Sequence, residues 1–381
     1  MKFVFAPDSF KGSLTAAEIC DILETCAKRV FPDAETVSVP VADGGEGTAV
    51  AFLRAMGGTL MHTKVTGPLF DKTTAEWVLL PDGRTAVLEA ARACGLPLVP
   101  KDERDPEMTT SMGVGELIAA ALKAGARHLL IGLGGSSTND GGIGMLSALG
   151  AAFTSREGRS IMPVGGELLN VAKADFSGLL PALSEADITV ICDVTNPLLG
   201  PEGASYVYGP QKGGTPDALD RLEEGMAHYA ALVSEALGRD ISSFAGAGAA
   251  GGLGAALGSV LGAQMKSGVE AVLDAVNFDE KLEGASLAVS GEGRVDSTSV
   301  RFGKVLSGVA ARCRAKGIPL AVLTGSIGEG SEELYEMCES TIMALASGPM
   351  SRDESMSNAR ALLESAAERL FRAIKIGTRM A

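Results

Sequence analysis

Short apolar runs alternating with stretches of helical period occupy both ends of this chain. KFVFA (2–6) and TVSV (36–39) have the length and composition of buried strands. Between them, Thr15 and Glu18 are spaced as a capping box. Ile19, Leu23, Ala27 and Val30 then follow at helical spacing. TAVAFLRAM (48–56) predicts a second helix. The C-terminal part repeats the pattern. SLAVS (286–290) leads to a helix over 303–316, PLAVLT (319–324) to a helix near 331–338, and TIMAL (341–345) to a long helix over 354–375. Such alternation predicts parallel βαβ units at both ends of the chain.

The middle has a different pattern. Residues 58–100 predict several short β segments, 113–124 a helix, and Thr215-Pro216 opens a helix to about 237. Ends of one type around a middle of another predict an α/β protein of two domains. One is a Rossmann-like parallel-sheet domain built from residues 1–65 and 285–381. The other is an inserted mixed α/β domain, 66–284. With 381 residues, two hydrophobic cores are expected. The uncharged window 241–265 is rich in Ala and Gly, which gain little in lipid, so it predicts close helix packing in a soluble protein rather than a membrane span. GxGxxG occurs there as Gly246, Gly248 and Gly251, but the preceding ISSFA is a poor strand, so these glycines read as structural.

Aromatic residues make up only 4% of the chain, so packing must rest on aliphatic side chains and close glycine contacts. The formal net charge of −14 disfavours nucleic acid and anionic membranes as partners. The six cysteines form no CxxC pair and the three histidines have no metal-ligand spacing. Neither a zinc site nor a disulfide framework is expected, and a reducing cytoplasm fits best. The short apolar N-terminal run does not predict a signal peptide.

The most informative stretch is GLGGSSTNDGG (132–142), between two apolar runs. An ordinary connection needs about two to six residues, so this one reads as a ligand loop. Gly134, Gly135, Ser136, Ser137 and Thr138 offer N–H groups and hydroxyls in a row, and Asn139 adds an amide. Four further loops follow the terminal strands: APDSFKGS (6–13), VADGGEGT (41–48), SGEGRVDSTS (290–299) and TGSIGEGS (324–331). Each joins glycine to an acidic residue, at the sheet edge where open α/β folds bind ligands. Phosphoryl transfer needs positioning and cations above all. Lys11 lies just before a capped helix start, and Lys304 begins the helix after Arg294 and Asp296; both suit phosphates. Asp43 and Glu46, three apart in DGGEG, could share Mg²⁺, or one could accept a hydroxyl proton. Asp8, Asp193 and Asp296 stand at or after strand ends, and their roles as ligand, base or cap stay open. No GxxxxGK[ST] or GxSxG motif is present.

At these residues the chain resembles the type-1 glycerate kinase family. Eight ordered blocks carry the resemblance: APDSFKGSLTA (6–16), VADGGEGT (41–48), TSMGVGELI (110–118), GLGGSSTNDGGIGML (132–146), CDVTNPLLGPEGAS (192–205), YGPQKG (208–213), GAGAAGGLG (246–254) and SGEGRVDSTS…GK (290–304). It implies ATP-dependent phosphorylation of D-glycerate with Mg²⁺, in a cleft between two domains, with transfer to the 2-hydroxyl favoured over the 3-hydroxyl. The resemblance does not itself assign roles to residues; read from the residues, the expected site has Lys11 and Lys304 on phosphates and Gly134, Gly135, Ser136, Ser137, Thr138 and Asn139 on nucleotide or substrate. Asp43 and Glu46, with Asp296, would hold Mg²⁺; Asp43 or Asp193 would be the base. Arg294 would clamp the acid's carboxylate. A sugar-acid dehydrogenase or dehydratase would need a nicotinamide fingerprint or metal cage that the sequence lacks. A non-catalytic acid-binding protein would not need acidic and basic residues at four strand ends. A homo-oligomer is compatible with the sequence but not readable from it.

Overall fold

The computed structural model describes residues 1–10, 12–41, 48–301 and 305–379. The chain divides into two compact units, Met1–Gly44 with Gly268–Ala381, and Gly45–Ser267.

The first unit is a five-stranded parallel sheet drawn from both chain ends. Its strands in chain order are Lys2–Phe5, Glu35–Ser38, Leu287–Val295, Leu320–Ile327 and Ser340–Ala344. Numbered within the unit, their spatial order is 2-1-3-4-5. This doubly wound order reverses direction between the 2–5 and 287–295 strands, the place where such sheets bind ligands. The helix Ala16–Val30 begins as its sequence requires. Thr15 Oγ1 accepts from the Glu18 N–H at 3.2 Å, and Glu18 Oε2 accepts from the Thr15 N–H at 2.9 Å. Its face of Ile19, Leu23, Ala27 and Val30 joins Phe3, Phe5 and Phe371 in the core. The long C-terminal helix is interrupted at Asn358, giving Arg352–Ser357 and Ala359–Gly377. Asn358 Nδ2 donates to Glu354 O at 2.9 Å, a local bond that competes with helix continuation.

The second unit holds a six-stranded mixed sheet. The strands Thr59–Thr66, Lys72–Leu79 and Thr85–Glu89 form an antiparallel meander. From the last of these the sheet continues in parallel through His128–Gly132, Asp187–Ile191 and Gln264–Lys266. Trp77, Leu88, Leu117, Ile131, Leu146 and Tyr229 are among its buried core residues.

Two sequence expectations shift. The passages between units fall at 44/45 and 267/268, not near 65 and 285. Helix Thr48–Met56 and strand Thr59–Thr66 continue the terminal βαβ rhythm in sequence, yet they contact the second unit's sheet. The 287–295 and 320–327 strands also run on through segments read as loops. Glu292 pairs with Thr324 and Arg294 with Ser326, so these glycine-rich polar segments satisfy each other's backbone groups. Among the described residues no helix is long and apolar enough to cross a membrane.

Candidate active site

In the second unit, three adjacent parallel strand ends bring polar groups to one sheet edge. Glu89, Gly132 and Ile191 are register partners, so Glu89, the 133–142 loop and the segment bearing Asp193 leave neighbouring positions. Glu89 is buried, and its Oε1 accepts from the Thr48 N–H at 3.0 Å, at the start of helix 48–56. Asp193 is exposed in the turn after its strand.

The glycine-serine loop is more buried than its composition suggests. Gly134 and Gly135 are exposed, whereas Ser136 to Asp140 are buried. Ser137 donates through its N–H and its hydroxyl to Cys94 O, at 2.8 and 2.9 Å. Thr138 Oγ1 faces Cys94 Sγ at 3.9 Å, and Asn139 Nδ2 donates to Ser205 Oγ at 3.2 Å. Asn139 Oδ1 is buried with no partner among the described residues. Asp140 anchors the loop's exit. Its Oδ2 accepts from Ser111 N and Oγ at 2.8 and 2.7 Å, and its Oδ1 accepts from Gly142 N at 3.1 Å. Burial pushes its carboxyl above the ordinary range, and the Ser111 and glycine donors oppose that. The hydroxyls of Ser137 and Thr138 are therefore spent inside the protein. The part of the loop open to a ligand is Gly134 and Gly135.

One group at this loop has no counterpart in the sequence reading. Lys212, in the short 3₁₀ turn Pro210–Lys212, is 2% exposed. Its ammonium donates to Thr138 O at 2.6 Å and Ser136 Oγ at 3.4 Å. Burial lowers its pKa to about 8, while Cys94 and Asp140 pull it upward. The available sequence signal was its isolation: no other Lys or Arg lies between Lys173 and Arg221.

In the first unit, the site residues cluster at the sheet's point of reversal. Asp8 follows the first strand, is buried, and accepts from the Ser9 N–H at 2.6 Å. Its own N–H donates to Gly291 O at 2.9 Å, tying it to the neighbouring strand. Arg294 projects from that strand's end, exposed, with Nε donating to Asp296 Oδ2 at 3.0 Å. Asp296 Oδ1 accepts from Thr298 N and Oγ1 at 3.1 and 2.6 Å. The Thr298 hydroxyl, with Arg294 beside it, holds the Asp296 pKa at about 2. Both oxygens of Asp296 thus serve the helix start at 297 and the orientation of Arg294. Among the described residues no cluster of three acidic, Cys or His side chains could hold a cation. Lys11, Asp43, Glu46 and Lys304 lie outside the described residues.

Loss of the Asp296 cap is open to measurement. Asp296→Ala is expected to cost about 1 kcal/mol of unfolding free energy at neutral pH. Because the folded pKa is depressed, that difference exists above the ordinary value of 3.8 and fades as pH falls toward about 2. Urea unfolding of both proteins at pH 7 and pH 2.5 checks it; a difference that persists undiminished in acid rules the cap out.

A pocket of about 760 Å³ spreads over these strand ends, with Asp8, Glu292, Arg294 and Ser326 on its lining. The glycerate kinase family model matches residues 3–375. The chain belongs to the glycerate kinase family. It is 44% identical over 380 residues to the glycerate kinase of Bacillus subtilis (strain 168), covering 100% of this chain and 99% of that protein. It is 46% identical over 327 residues to the glycerate 2-kinase of Escherichia coli (strain K12), 86% of each chain. Its fold matches the crystal structure of a protein assigned as glycerate kinase 2 from Salmonella typhimurium LT2, with TM-score 0.84, 42% identity and full coverage of both chains. The protein is accordingly an enzyme of the kinase class, with ATP as co-substrate.

Proposed function

We propose that the enzyme transfers the γ-phosphoryl group of ATP to the 2-hydroxyl of D-glycerate, giving 2-phosphoglycerate and ADP. The observation that carries this reading is 46% identity over 327 residues to a glycerate 2-kinase. The free cysteines throughout the described residues agree with a cytoplasmic enzyme.

Lys11 and Lys304 neutralise phosphate oxygens, where charge gathers during transfer. Arg294, already oriented by Asp296, clamps the acid's carboxylate through its planar fork. Gly134 and Gly135 offer exposed backbone to a polar ligand group, on a loop fixed by Ser136, Ser137, Thr138 and Asn139. Asp43 or Asp193 takes the hydroxyl proton as the oxygen attacks phosphorus, and the bond to the departing ADP breaks. Mg²⁺ would supply charge neutralisation, with Asp43 and Glu46 as the carboxylates able to hold it.

The acceptor hydroxyl is tested by incubating the enzyme with ATP, Mg²⁺ and D-glycerate, then adding enolase alone. Phosphoenolpyruvate forms directly if the 2-hydroxyl is attacked. A requirement for phosphoglycerate mutase would assign the 3-hydroxyl instead, and absence of ADP would remove D-glycerate as acceptor.

A further inference from the structure

The kinase reading leaves open where the nucleotide sits, and the pocket of the first unit has the chemistry to answer that. We propose that this pocket binds the nucleoside of ATP. The assignment rests on the kinase reading and deepens it.

Three observations combine. The first is size and placement. The pocket is about 760 Å³ and runs from the end of the 2–5 strand to the segment after the 340–344 strand. Those strands are three spacings apart in the sheet, roughly 14 Å, the scale of an extended nucleotide and far beyond a three-carbon acid. It also lies at the reversal of strand order, the ligand crevice of doubly wound sheets. The second is the wall. Phe10, Leu345, Pro349, Met350 and Met356 line it, and Met350 is 37% exposed. Thioethers and an aromatic ring suit the flat face of a purine, whereas a small hydroxy acid has no apolar surface to offer them. The third is charge. Asp8 and Glu292 lie on the lining at 9% and 7% exposure. Buried carboxylates repel a carboxylate or phosphate, but they accept hydrogen bonds from ribose hydroxyls. The exposed Arg352 also lies on the lining, so a phosphate chain leaves the pocket beside a cation that the acid's carboxylate does not use.

Gly348 gives a direct test, because it lines the pocket and an added Cβ there meets nothing within 4 Å. Its φ lies outside the left-handed region, so Gly348→Phe fills the pocket without forcing the backbone. The full-length enzyme should keep its melting temperature, while its directly measured Kd for ATP rises about tenfold or more. Unchanged ATP binding, or a rise confined to the KM for glycerate, overturns the assignment. Photolabelling of the wild-type enzyme with 8-azido-ATP gives a readout independent of folding of the variant. Label is expected in peptides spanning 345–359; label confined to 134–140 overturns the proposal. Labelling at 345–359 in an enzyme that does not phosphorylate D-glycerate sustains the pocket and removes only the acceptor.

Discussion

Replacing Lys212 with methionine is expected to lower kcat about a hundredfold while leaving the protein folded. Lys212 is the buried cation that holds Thr138 O and Ser136 Oγ, so its ammonium fixes the loop that ends in the exposed Gly134 and Gly135. A displacement of about an ångström in a positioning element can cost roughly a hundredfold in rate. Stability should respond less. The variant leaves the buried Thr138 carbonyl unpaired, which costs about 1–3 kcal/mol. It also removes an ammonium that burial already penalises, which offsets part of that cost. The pH dependence has a definite sign. The folded pKa of about 8 lies below the ordinary 10.5, so between these values the unfolded chain holds a proton that the folded protein has released. Wild-type stability relative to Lys212→Met must therefore rise as pH increases through that window. Paired denaturant titrations at pH 7 and pH 9.5, with kcat measured alongside, decide it. A stability gap that does not change with pH would show that Lys212 titrates as a solvated lysine.

Lys212 also marks where sequence reading stops. Its block, YGPQKG, carries part of the family resemblance, yet nothing in Gly, Pro and Gln distinguishes a solvated turn from a buried one. Burial there arises from packing under residues 136–138, some seventy positions earlier in the chain. Local signals fared better. The Thr15–Glu18 capping box, the apolar strand 2–5 and the helix from Pro216 depend on neighbours within a few residues, and each lies where the pattern places it. The parallel sheet built from both chain ends was legible because the same strand–helix alternation recurs at each end, although its pairing joins residues far apart in the chain. The strand extensions through Glu292–Val295 and Gly325–Ile327 were not, because each is a strand only by pairing with the other. Similarly, the hydroxyls of Ser137 and Thr138 read as ligand groups until Cys94 is seen to take them. Composition announced a special loop. The division between its buried scaffold and its exposed tip is a tertiary fact.

The glycines of residues 246–251 offer the second large effect, and a way to separate packing from ligand binding. Gly251 has φ +68, and a Cβ there would overlap Thr138 O and lie 2.6 Å from Asn139 Cα. Its own carbonyl accepts from the Gly141 N–H at 2.9 Å, so this turn and the 134–140 loop are built against each other. Gly251→Ala is expected to destabilise the enzyme by about 3 kcal/mol or more, combining backbone strain with displacement of a packed loop. Activity should fall with it, because the displaced atoms are those that Lys212 holds. Gly262 supplies the control. It has φ +71, almost the same conformation, but an added Cβ there meets nothing within 4 Å. Gly262→Ala therefore bears only the left-handed strain, about 1–2 kcal/mol. The difference between the two melting temperatures isolates the steric demand of Thr138 on Gly251. Were Gly246, Gly248 and Gly251 a nucleotide fingerprint instead, Gly251→Ala would weaken ATP binding and unfold no earlier than Gly262→Ala.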